Sequence, residues 1–483
     1  MSNLKASPQM SCSGLVHFSP SNEYIACIDV FKLKIYLNST SPMKLLSEHK
    51  YKDEIFLLEW SFDSTFILVA LTERNVCFIQ SVKNQSFSYK IEEGLFGLVN
   101  AMFVPNKTDQ IITVNSFNMR LTIWSLNDKT SHFITNPKYS DSRGIAFSKH
   151  NFPLMCLAER REVGEYIGIF NTKDWSITNH FPVQSKNLKE VKWIDDTDNI
   201  LIIEGEILCL VYLYSSTTGE LLRYIQPYTD KIGINELKIS PNNNLISLGC
   251  MDGNLYLYYL NNELSFIDIF EHGSLLIDEN VYILQESVIK MKQSFYVSVF
   301  NKVDVPYRIE IDEDINKVQC NIVSLTEWSS DSKLICTVNQ LMPNVLWTWS
   351  LSSLSLESVI IFNDKITTMK SSPLKNVLLL LCNCSRVFLY NFNTNTINAY
   401  DTGFVSPPTY LEWDKESEQF IIGNNSKFLS CLIPKEGSKG EGTTSQNFYI
   451  SGGINNNNNI TNSNFYNDES GSYSYFNNNY SKK

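Results

Sequence analysis

The stretch WSFDSTFILVA, from Trp60 to Ala70, carries the pattern that decides the fold: a bulky residue, a polar turn, and a run of branched apolar residues. Eight further stretches with this pattern begin at Phe18, Phe103, Phe147, Trp193, Ile239, Trp328, Met369 and Trp413. Successive starts are 42, 43, 44, 46, 46, 89, 41 and 44 residues apart. A repeat of about 40 to 50 residues with this many turn signals is typical of a four-stranded propeller blade. The sequence therefore predicts a β-propeller.

Each unit continues into a further short strand, such as RLTIWSL (Arg120 to Leu126) or VLWTWSL (Val345 to Leu351). The apolar runs are short, bounded by turns and lack a sustained 3.6-residue period, which excludes a helical interpretation. Nine detected units, with room for one more in the double spacing, are too few for two ordinary rings. We therefore predict an all-β chain that forms one ring of eight or nine blades.

The repeats resemble degenerate WD40 repeats. The Trp-Asp dipeptide of that family becomes Trp124-Ser125 and Trp349-Ser350, and no Gly-His pair opens a unit. We therefore expect the buried Asp-His-Ser-Trp network of regular WD40 blades to be mostly absent. Packing and strand pairing would then hold the blades together, and the eleven scattered cysteines would act as small core residues.

Three regions follow from composition. The polar residues 1–13 are predicted to be disordered, residues 14–433 form the propeller, and residues 434–483, rich in Asn, Ser and Tyr, form a disordered tail. The gap at about 261–322 contains FYVSVFN and PYRIEIDED, so it is not a low-complexity linker. It is either a decayed blade or a strand-rich excursion. As an excursion it could bind a partner, or it could be a hairpin that only covers a blade edge.

Charge and hydropathy restrict the class of protein. A formal charge of −11 without a basic stripe argues against a surface that follows nucleic-acid phosphates. The amino terminus lacks an apolar signal core, and no apolar run approaches the roughly 18 residues of a membrane span. Scattered cysteines are typical of a reducing compartment. We expect a cytoplasmic protein with no membrane partner.

No residue pattern indicates catalysis. The six histidines are not at metal-ligand spacing, and Cys382-x-Cys384 has no second pair to complete a zinc site. Nucleotide-binding loops and the nucleophile elbow are missing, and acidic pairs such as Asp195-Asp196 lie in predicted turns. We predict no catalytic, cofactor-binding or metal-binding residues and no enzyme activity.

One charged cluster stands at a predicted strand end, Glu159-Arg160-Arg161. Adjacent arginines present planar groups with several donors, which suit carboxylates on a partner. The alternative is an ion pair at the end of the strand, with Glu159 or Glu162. The residues alone leave both interpretations open.

Several segments of this chain resemble the family of the eighth protein in the human WD-repeat series, a centrosomal and spindle-pole protein. The distinctive ones are LAERR (Leu157 to Arg161) and PNVLWTWSL (Pro343 to Leu351), and YIGIF (Tyr166 to Phe170) matches as well. LEWSFDSTFILVA, IEEGLFGLV, RLTIWSL and Asp174-Trp175 also match, in order, over roughly residues 14 to 433. The Asn-rich tail is outside the family pattern.

The resemblance implies a non-catalytic scaffold at the centrosome or spindle pole. It would bind a coiled-coil spindle-anchoring protein, together with a minus-end-directed kinesin and a microtubule-nucleating complex, and help to hold microtubule minus ends. The candidate partner-binding residues are Glu159, Arg160, Arg161, Met342, Pro343 and Asn344. A different class, a translation-initiation propeller that contacts the ribosome, is the alternative, although such proteins usually carry basic extensions.

Overall fold

The computed structural model describes residues 5–38, 43–72, 75–84, 86–149, 153–205, 208–227, 233–290, 296–311 and 321–433. Within these ranges the chain forms the predicted all-β propeller, with nine blades. Strands within a blade are lettered a to d from the central channel outward. Three short helical turns occur among the described residues, Gly94–Phe96, Ser116–Asn118 and Ser142–Gly144. No helix in the described ranges is long and apolar enough to cross a membrane.

Strands before blade 1 and in blades 1 to 3 are β1 (Lys5–Ala6), β2 (Met10–Ser11), β3 (Val16–Phe18), β4 (Tyr24–Asp29), β5 (Lys32–Leu37), β6 (Lys44–Lys50), β7 (Ile55–Trp60), β8 (Phe66–Leu71), β9 (Val76–Ser81), β10 (Ser88–Glu92), β11 (Asn100–Phe103), β12 (Gln110–Val114), β13 (Arg120–Ser125) and β14 (Thr130–Thr135). Blades 4 to 6 contain β15 (Ile145–Phe147), β16 (Leu154–Arg161), β17 (Gly164–Asn171), β18 (Ile177–Pro182), β19 (Leu188–Trp193), β20 (Asn199–Glu204), β21 (Val211–Ser215), β22 (Leu221–Ile225), β23 (Ile234–Ile239), β24 (Leu245–Cys250), β25 (Asn254–Tyr259) and β26 (Phe266–Glu271).

The insertion and blades 7 to 9 contain β27 (Leu275–Leu276), β28 (Tyr282–Lys290), β29 (Tyr296–Val303), β30 (Tyr307–Arg308), β31 (Val323–Trp328), β32 (Leu334–Asn339), β33 (Met342–Ser350), β34 (Ser355–Ile361), β35 (Ile366–Ser371), β36 (Val377–Cys382), β37 (Arg386–Asn391), β38 (Thr396–Asp401), β39 (Tyr410–Trp413), β40 (Gln419–Gly423) and β41 (Lys427–Leu432). Blades 1 to 9 begin with strands β3, β7, β11, β15, β19, β23, β31, β35 and β39, and consecutive strands of each blade pair antiparallel. The bc turns and the loops that join strand d to the next strand a therefore lie on one face of the ring, the da/bc face. The ab and cd turns lie on the opposite ab/cd face.

The polar turn of the repeat is the ab turn. In blade 2, Ser61 Oγ donates to Asp63 at 2.7 Å and accepts from Phe66 N at 2.9 Å, and Ser64 has a φ of 64°. Blade 7 repeats this arrangement with Ser329 and Asp331. Left-handed residues at the equivalent position of other ab turns are Asn22, Asn243, Ser332 and Ser417, and Asn106 and Asp196 adopt the same conformation one position earlier in theirs. Short polar side chains tolerate this conformation and bond their own backbone, which explains why the turn is polar in every unit.

In several blades, the bulky residue or a serine of this turn bonds to the neighbouring blade. Trp60 Nε1 donates to His17 O at 3.2 Å, and Trp413 Nε1 donates to Lys370 O at 2.9 Å, in each case across the blade boundary. Ser64 Oγ accepts from Ser21 N of blade 1 at 2.9 Å. The bulky first residue and the turn serine therefore fix the angle between blades as well as the core. Nine of the ten cysteines in the described ranges are buried, as expected for small core residues.

The insertion is a hairpin on blade 7 and not a tenth blade. Strand β28 pairs parallel with β34, and β29 extends the same sheet to six strands. Glu286 of β28, 3% exposed, accepts from Arg386 Nη1 of blade 8 at 2.7 Å and from Asn363 N at 2.9 Å. The hairpin thus covers the outer edge of blade 7 and is anchored to blade 8. Of the two alternatives, a decayed blade or a strand-rich excursion, the gap is therefore an excursion.

The amino-terminal segment closes the ring. Ala6 pairs with Cys431 and Met10 with Phe428, so β1 and β2 lie beside β41 as the outer strand of blade 9. This corrects the predicted disorder of residues 1–13 for the part that is described. The segment is too short and too polar to show strand periodicity. It becomes ordered because it pairs with the outer edge of β41, beside which no other strand lies in the described ranges. The predicted tail, 434–483, lies outside the described residues.

Ionisable side chains occupy the position before the bulky residue in six of the nine blades: His17, Glu59, Lys192, Lys238, Glu327 and Glu412. His17 Nδ1 lies 2.8 Å from Glu412 between blades 1 and 9, and Lys238 Nζ lies 2.6 Å from Glu327 between blades 6 and 7. Glu59 occupies this position in blade 2. Burial raises its pKa to about 7, although a hydrogen bond from the Phe103 backbone acts to lower it. Polar contacts therefore link the inner strands of neighbouring blades 9 and 1 and of blades 6 and 7.

We expect the Glu59→Gln variant to raise the melting temperature more at pH 8 than at pH 5. The folded pKa of about 7 lies above the ordinary value of 4.5, so folding gains stability from the protonated acid below pH 4.5 and loses it as the pH rises through 7. Because Gln cannot ionise, the variant does not lose this stability at high pH. Melting curves of both proteins, with the exposed Glu54→Gln as a control, test this; an equal shift at both pH values would contradict it.

Candidate interaction face

The predicted Glu159-Arg160-Arg161 cluster lies on the da/bc face, at the bc turn of blade 4. Strands β16 and β17 form a hairpin in which Arg161 pairs with Gly164. Arg160, Arg161 and Glu162 are exposed, and the Val163 side chain is 91% exposed at the tip. An apolar residue held at the tip of a charged turn is a feature of contact surfaces.

Glu159 is structural. It is 2% exposed and accepts from Arg161 Nε at 3.1 Å and Nη2 at 2.8 Å, while His180 Nε2 lies 3.1 Å from the same oxygen. The His180 ring stacks on the Tyr166 ring with 5.3 Å between their centres. The Arg161 guanidinium lies 5.4 Å from the centre of the Tyr166 ring. The predicted strand-end ion pair therefore exists between Arg161 and Glu159. Arg160 is not part of that pair.

Met342, Pro343 and Asn344 follow the bc turn of blade 7, on the same face but three blades away. Met342 is 3% exposed and packs in the core of blade 7. Asn344 Nδ2 donates to Phe362 O at 2.9 Å and ties the start of β33 to the end of β34. Burial therefore corrects the assignment of Met342 as a partner-binding residue. Trp347 and Trp349, 0% and 4% exposed, both belong to the core.

Sequence reasoning missed the bc turn of blade 3. Phe117 is 89% exposed and has a φ of 68°, and Met119 is 52% exposed. Asn115 Oδ1 accepts from the backbone N–H groups of Met119 and Arg120 at 3.0 and 3.1 Å, so the turn is fixed internally. A bulky residue in the left-handed region costs on the order of 1–3 kcal/mol and is typical of functional positions. The turn presents an aromatic side chain to solvent at that cost.

The loop between blades 2 and 3 continues this surface. Leu95 is 101% exposed and Phe96 is 46% exposed. The Arg120 guanidinium lies 5.5 Å from the centre of the Phe96 ring and 4.5 Å from that of Phe133. Arg120 also reaches the buried Glu93, with 3.7 Å between Nη2 and Oε2. The arginine therefore connects the loop to the bc turn.

Hydrogen bonds join the turns of blades 3 and 4 into one surface. Asn118 Nδ2 donates to Lys138 O at 3.1 Å, Asn136 N donates to Met119 O at 3.1 Å, and Arg160 N donates to Asn136 O at 3.2 Å. We call this surface the blade 3–4 patch. Its members are Leu95, Phe96, Phe117, Met119, Arg120, Arg160, Arg161 and Val163.

The buried polar network expected to be lost survives in altered form in two blades. In blade 7, Thr337 Oγ1 accepts from Trp349 Nε1 at 2.9 Å and lies 2.7 Å from His272 Nε2, and burial lowers the pKa of His272 to about 4. In blade 3, Glu93 takes the place of the histidine beside Thr113 and Trp124. The blade 7 network escaped detection because the insertion separates His272 from its blade. Both networks hold the da/bc loops against their blades.

Metal chemistry finds no support in the described ranges, where no group of three or more His, Cys, Asp or Glu side chains could hold an ion. Cys382 is buried, and burial raises the pKa of both Cys382 and Cys384. Cys382 ends β36 and Cys384 lies half-buried in the turn that follows, and neutral thiols are poor metal ligands. Among the ionisable side chains of this face, Arg120 pairs with Glu93 and Arg161 with Glu159.

Strand order and ring closure define the class of protein as a WD40-type β-propeller. Over 453 residues the chain is 26% identical to mouse WD repeat-containing protein WRAP73, a match that covers 88% of this chain and 95% of that protein. An uncharacterized WD repeat-containing protein of Schizosaccharomyces pombe is 21% identical over 269 residues, 55% of this chain and 54% of that one. The C-terminal WD40 domain of Sif2 has the same fold, with a TM-score of 0.50, 12% identity, and coverage of 90% and 99%. No protein-family model matches the chain.

Proposed function

We propose that this protein is a non-catalytic WD-repeat scaffold at the centrosome or spindle pole. It binds a coiled-coil anchoring protein and thereby tethers microtubule minus ends during spindle organisation. A minus-end-directed kinesin and a microtubule-nucleating complex join through that partner. The blade 3–4 patch is the observation that carries a scaffold role, because its fully exposed Leu95 and Phe117 are unusual for a surface with no partner.

The similarity to known proteins supports the more specific part of the proposal. The match to the mouse WD-repeat protein extends over 88% of this chain. Of the distinctive family segments, LAERR ends at the bc turn of blade 4, and PNVLWTWSL forms most of β33 in blade 7. Residues Arg160 and Arg161 of the first segment belong to the patch, so one of the two segments includes part of the candidate surface.

Imaging of the chain through the cell cycle tests this function. The fluorescent tag belongs at the carboxyl end, because residues 5–11 contain the ring-closing strands. We expect discrete foci at centrosomes or spindle poles, and unfocused microtubule minus ends after depletion. Diffuse signal that follows ribosomes would contradict the proposal and favour a translation-initiation propeller.

Replacing Arg160 with Ala is expected to weaken partner binding by about tenfold without changing the melting temperature, because an exposed arginine at an interface acts through the complex alone. Arg161→Ala is expected to weaken binding and to destabilise the fold by about 1 kcal/mol. After this change, His180 is the remaining side-chain partner of the buried Glu159 carboxylate. The loss of stability is modest because Arg161 is half exposed and its charge is screened by solvent. Binding titrations and melting curves of both variants separate the roles; unchanged affinity in the folded Arg160→Ala variant would remove Arg160 from the interface.

A further inference from the structure

We propose that the blade 3–4 patch binds an amphipathic α-helix whose apolar stripe is flanked by acidic residues. This inference rests on the proposed function for the existence of a helical partner. It goes further in assigning the face, the blades and the charge of the segment that docks. Three features of the patch lead to it: its apolar anchors, its outermost charges and its occupied backbone.

The apolar anchors project from separate loops of the da/bc face. Leu95 and Phe117 are 101% and 89% exposed, and Val163 is 91% exposed. They stand on three different connections, yet hydrogen bonds and the Phe96–Arg120 contact hold the connections together. Large apolar side chains exposed on connected loops are suited to contact the apolar i, i+3, i+4 and i+7 positions of a helix.

The outermost charges of the patch are positive although the whole chain carries −11. Arg120 and Arg161 keep 32% and 44% of their side chains exposed, and Arg160 is exposed as well. Their carboxylate partners, Glu93 and Glu159, lie beneath them with side chains that are 1% and 3% exposed. Glu162, on the blade 4 turn, is an exposed acid of this surface, and the exposed Glu92 beside the Leu95 loop is paired with Lys90. A partner therefore meets arginine donors first, which favours acidic residues beside its apolar stripe.

Backbone groups of the patch are already used within the protein. Met119 O accepts from Asn136 N, Asn136 O accepts from Arg160 N, and Lys138 O accepts from the Asn118 side chain. Adding a strand to a sheet requires free N–H and C=O groups along an edge. The patch offers side chains in place of such an edge, so the occupant is a helix, which satisfies its own backbone. Three arginines, two of them beside carboxylates, are too few for a nucleic-acid site that depends on clustered phosphate contacts.

Site-specific photo-crosslinking in cells tests the proposal. Phe117 is replaced with p-benzoylphenylalanine in the full-length chain, and the crosslinked peptides are identified by mass spectrometry. Phe62 provides the matched control, because it is an aromatic residue, 49% exposed, in the ab turn of blade 2 on the opposite face. We expect crosslinks from position 117 to a segment with a heptad pattern and net negative charge, and at least tenfold fewer from position 62.

Crosslinks from position 117 to a globular domain, to RNA or to lipid would overturn the inference, as would crosslinks to the heptad segment from position 62 alone or from neither position. These outcomes are separable from failure of the proposed function. Spindle-pole foci without the Phe117 crosslink would reject the helix site and leave the location intact. The crosslink without spindle-pole foci would do the reverse.

A substitution pair checks the energetic contribution of the anchors. Leu95→Ser with Phe117→Ser is expected to reduce recovery of the crosslinked partner, captured through the carboxyl-terminal tag, by at least tenfold. The melting temperature should not fall, because both side chains are exposed. Phe62→Ser should change neither quantity. Full recovery of the partner by the folded double variant would show that the patch does not bind it.

Discussion

Replacing Glu165 with Ala is expected to destabilise the protein by about 3–5 kcal/mol, because it leaves the Lys138 ammonium buried without its counter-ion. Lys138 Nζ lies 2.6 Å from Glu165 Oε1, and the two side chains are 4% and 3% exposed. Burial lowers the pKa of Lys138 even though Glu165 opposes this shift. The other oxygen of Glu165 accepts from Leu188 N at 2.9 Å, so one carboxylate joins the loop before blade 4 to the loop before blade 5.

Chemical denaturation of Glu165→Ala and of a Lys138→Met, Glu165→Gln double variant measures this effect. The double variant should recover most of the loss, because it buries no charge and Gln still accepts from Leu188. Equal destabilisation of both variants would show that packing, and not the charge, determines the cost. Because this pair lies below the blade 4 turn, its loss should also weaken binding at the blade 3–4 patch.

Deleting residues 1–11 is expected to cost on the order of 3–5 kcal/mol, because several backbone hydrogen bonds of blade 9 contribute about 1 kcal/mol each. The bonds include Ser7 N to Ser430 O at 2.8 Å and the pairing of Met10 with Phe428. The deletion also leaves β41 as an open strand edge, and such edges pair with other chains. Melting curves and light scattering should show a lower melting temperature and concentration-dependent association.

A deletion of residues 1–4 serves as the control, since the pairing described for this segment begins at Lys5. It should behave as the full chain does. If the 1–11 deletion melts like the full chain and stays monomeric, the amino-terminal strands do not close the ring.

The fold could be predicted from the sequence because its periodic features are local. Ser61 bonds within its own turn, and Trp60 and Ser64 bond to the preceding blade 43 residues away, so the residues that form these contacts recur with the repeat. Ring closure and the insertion could not be predicted, because Met10 and Glu286 obtain their structure from partners hundreds or tens of residues away. Those contacts leave no periodic trace.

The candidate site was predictable only in part. Arg160 and Arg161 stood out because two arginines follow an apolar run. Phe117 did not, because an aromatic residue in a turn resembles a core residue until its backbone conformation is known. Met342 was predicted to bind a partner because it lies beside a turn, but its side chain points into the core. Exposure of single loop residues depends on the ring geometry, which the sequence does not encode locally.

Proximity labelling with the carboxyl-tagged chain tests the central claim of a spindle-pole scaffold most directly. The account predicts that a coiled-coil anchoring protein and minus-end microtubule components are labelled in mitotic cells, and that labelling falls at least about tenfold with the Leu95→Ser, Phe117→Ser variant. Labelling dominated by ribosomal proteins, and unchanged by the variant, would contradict it.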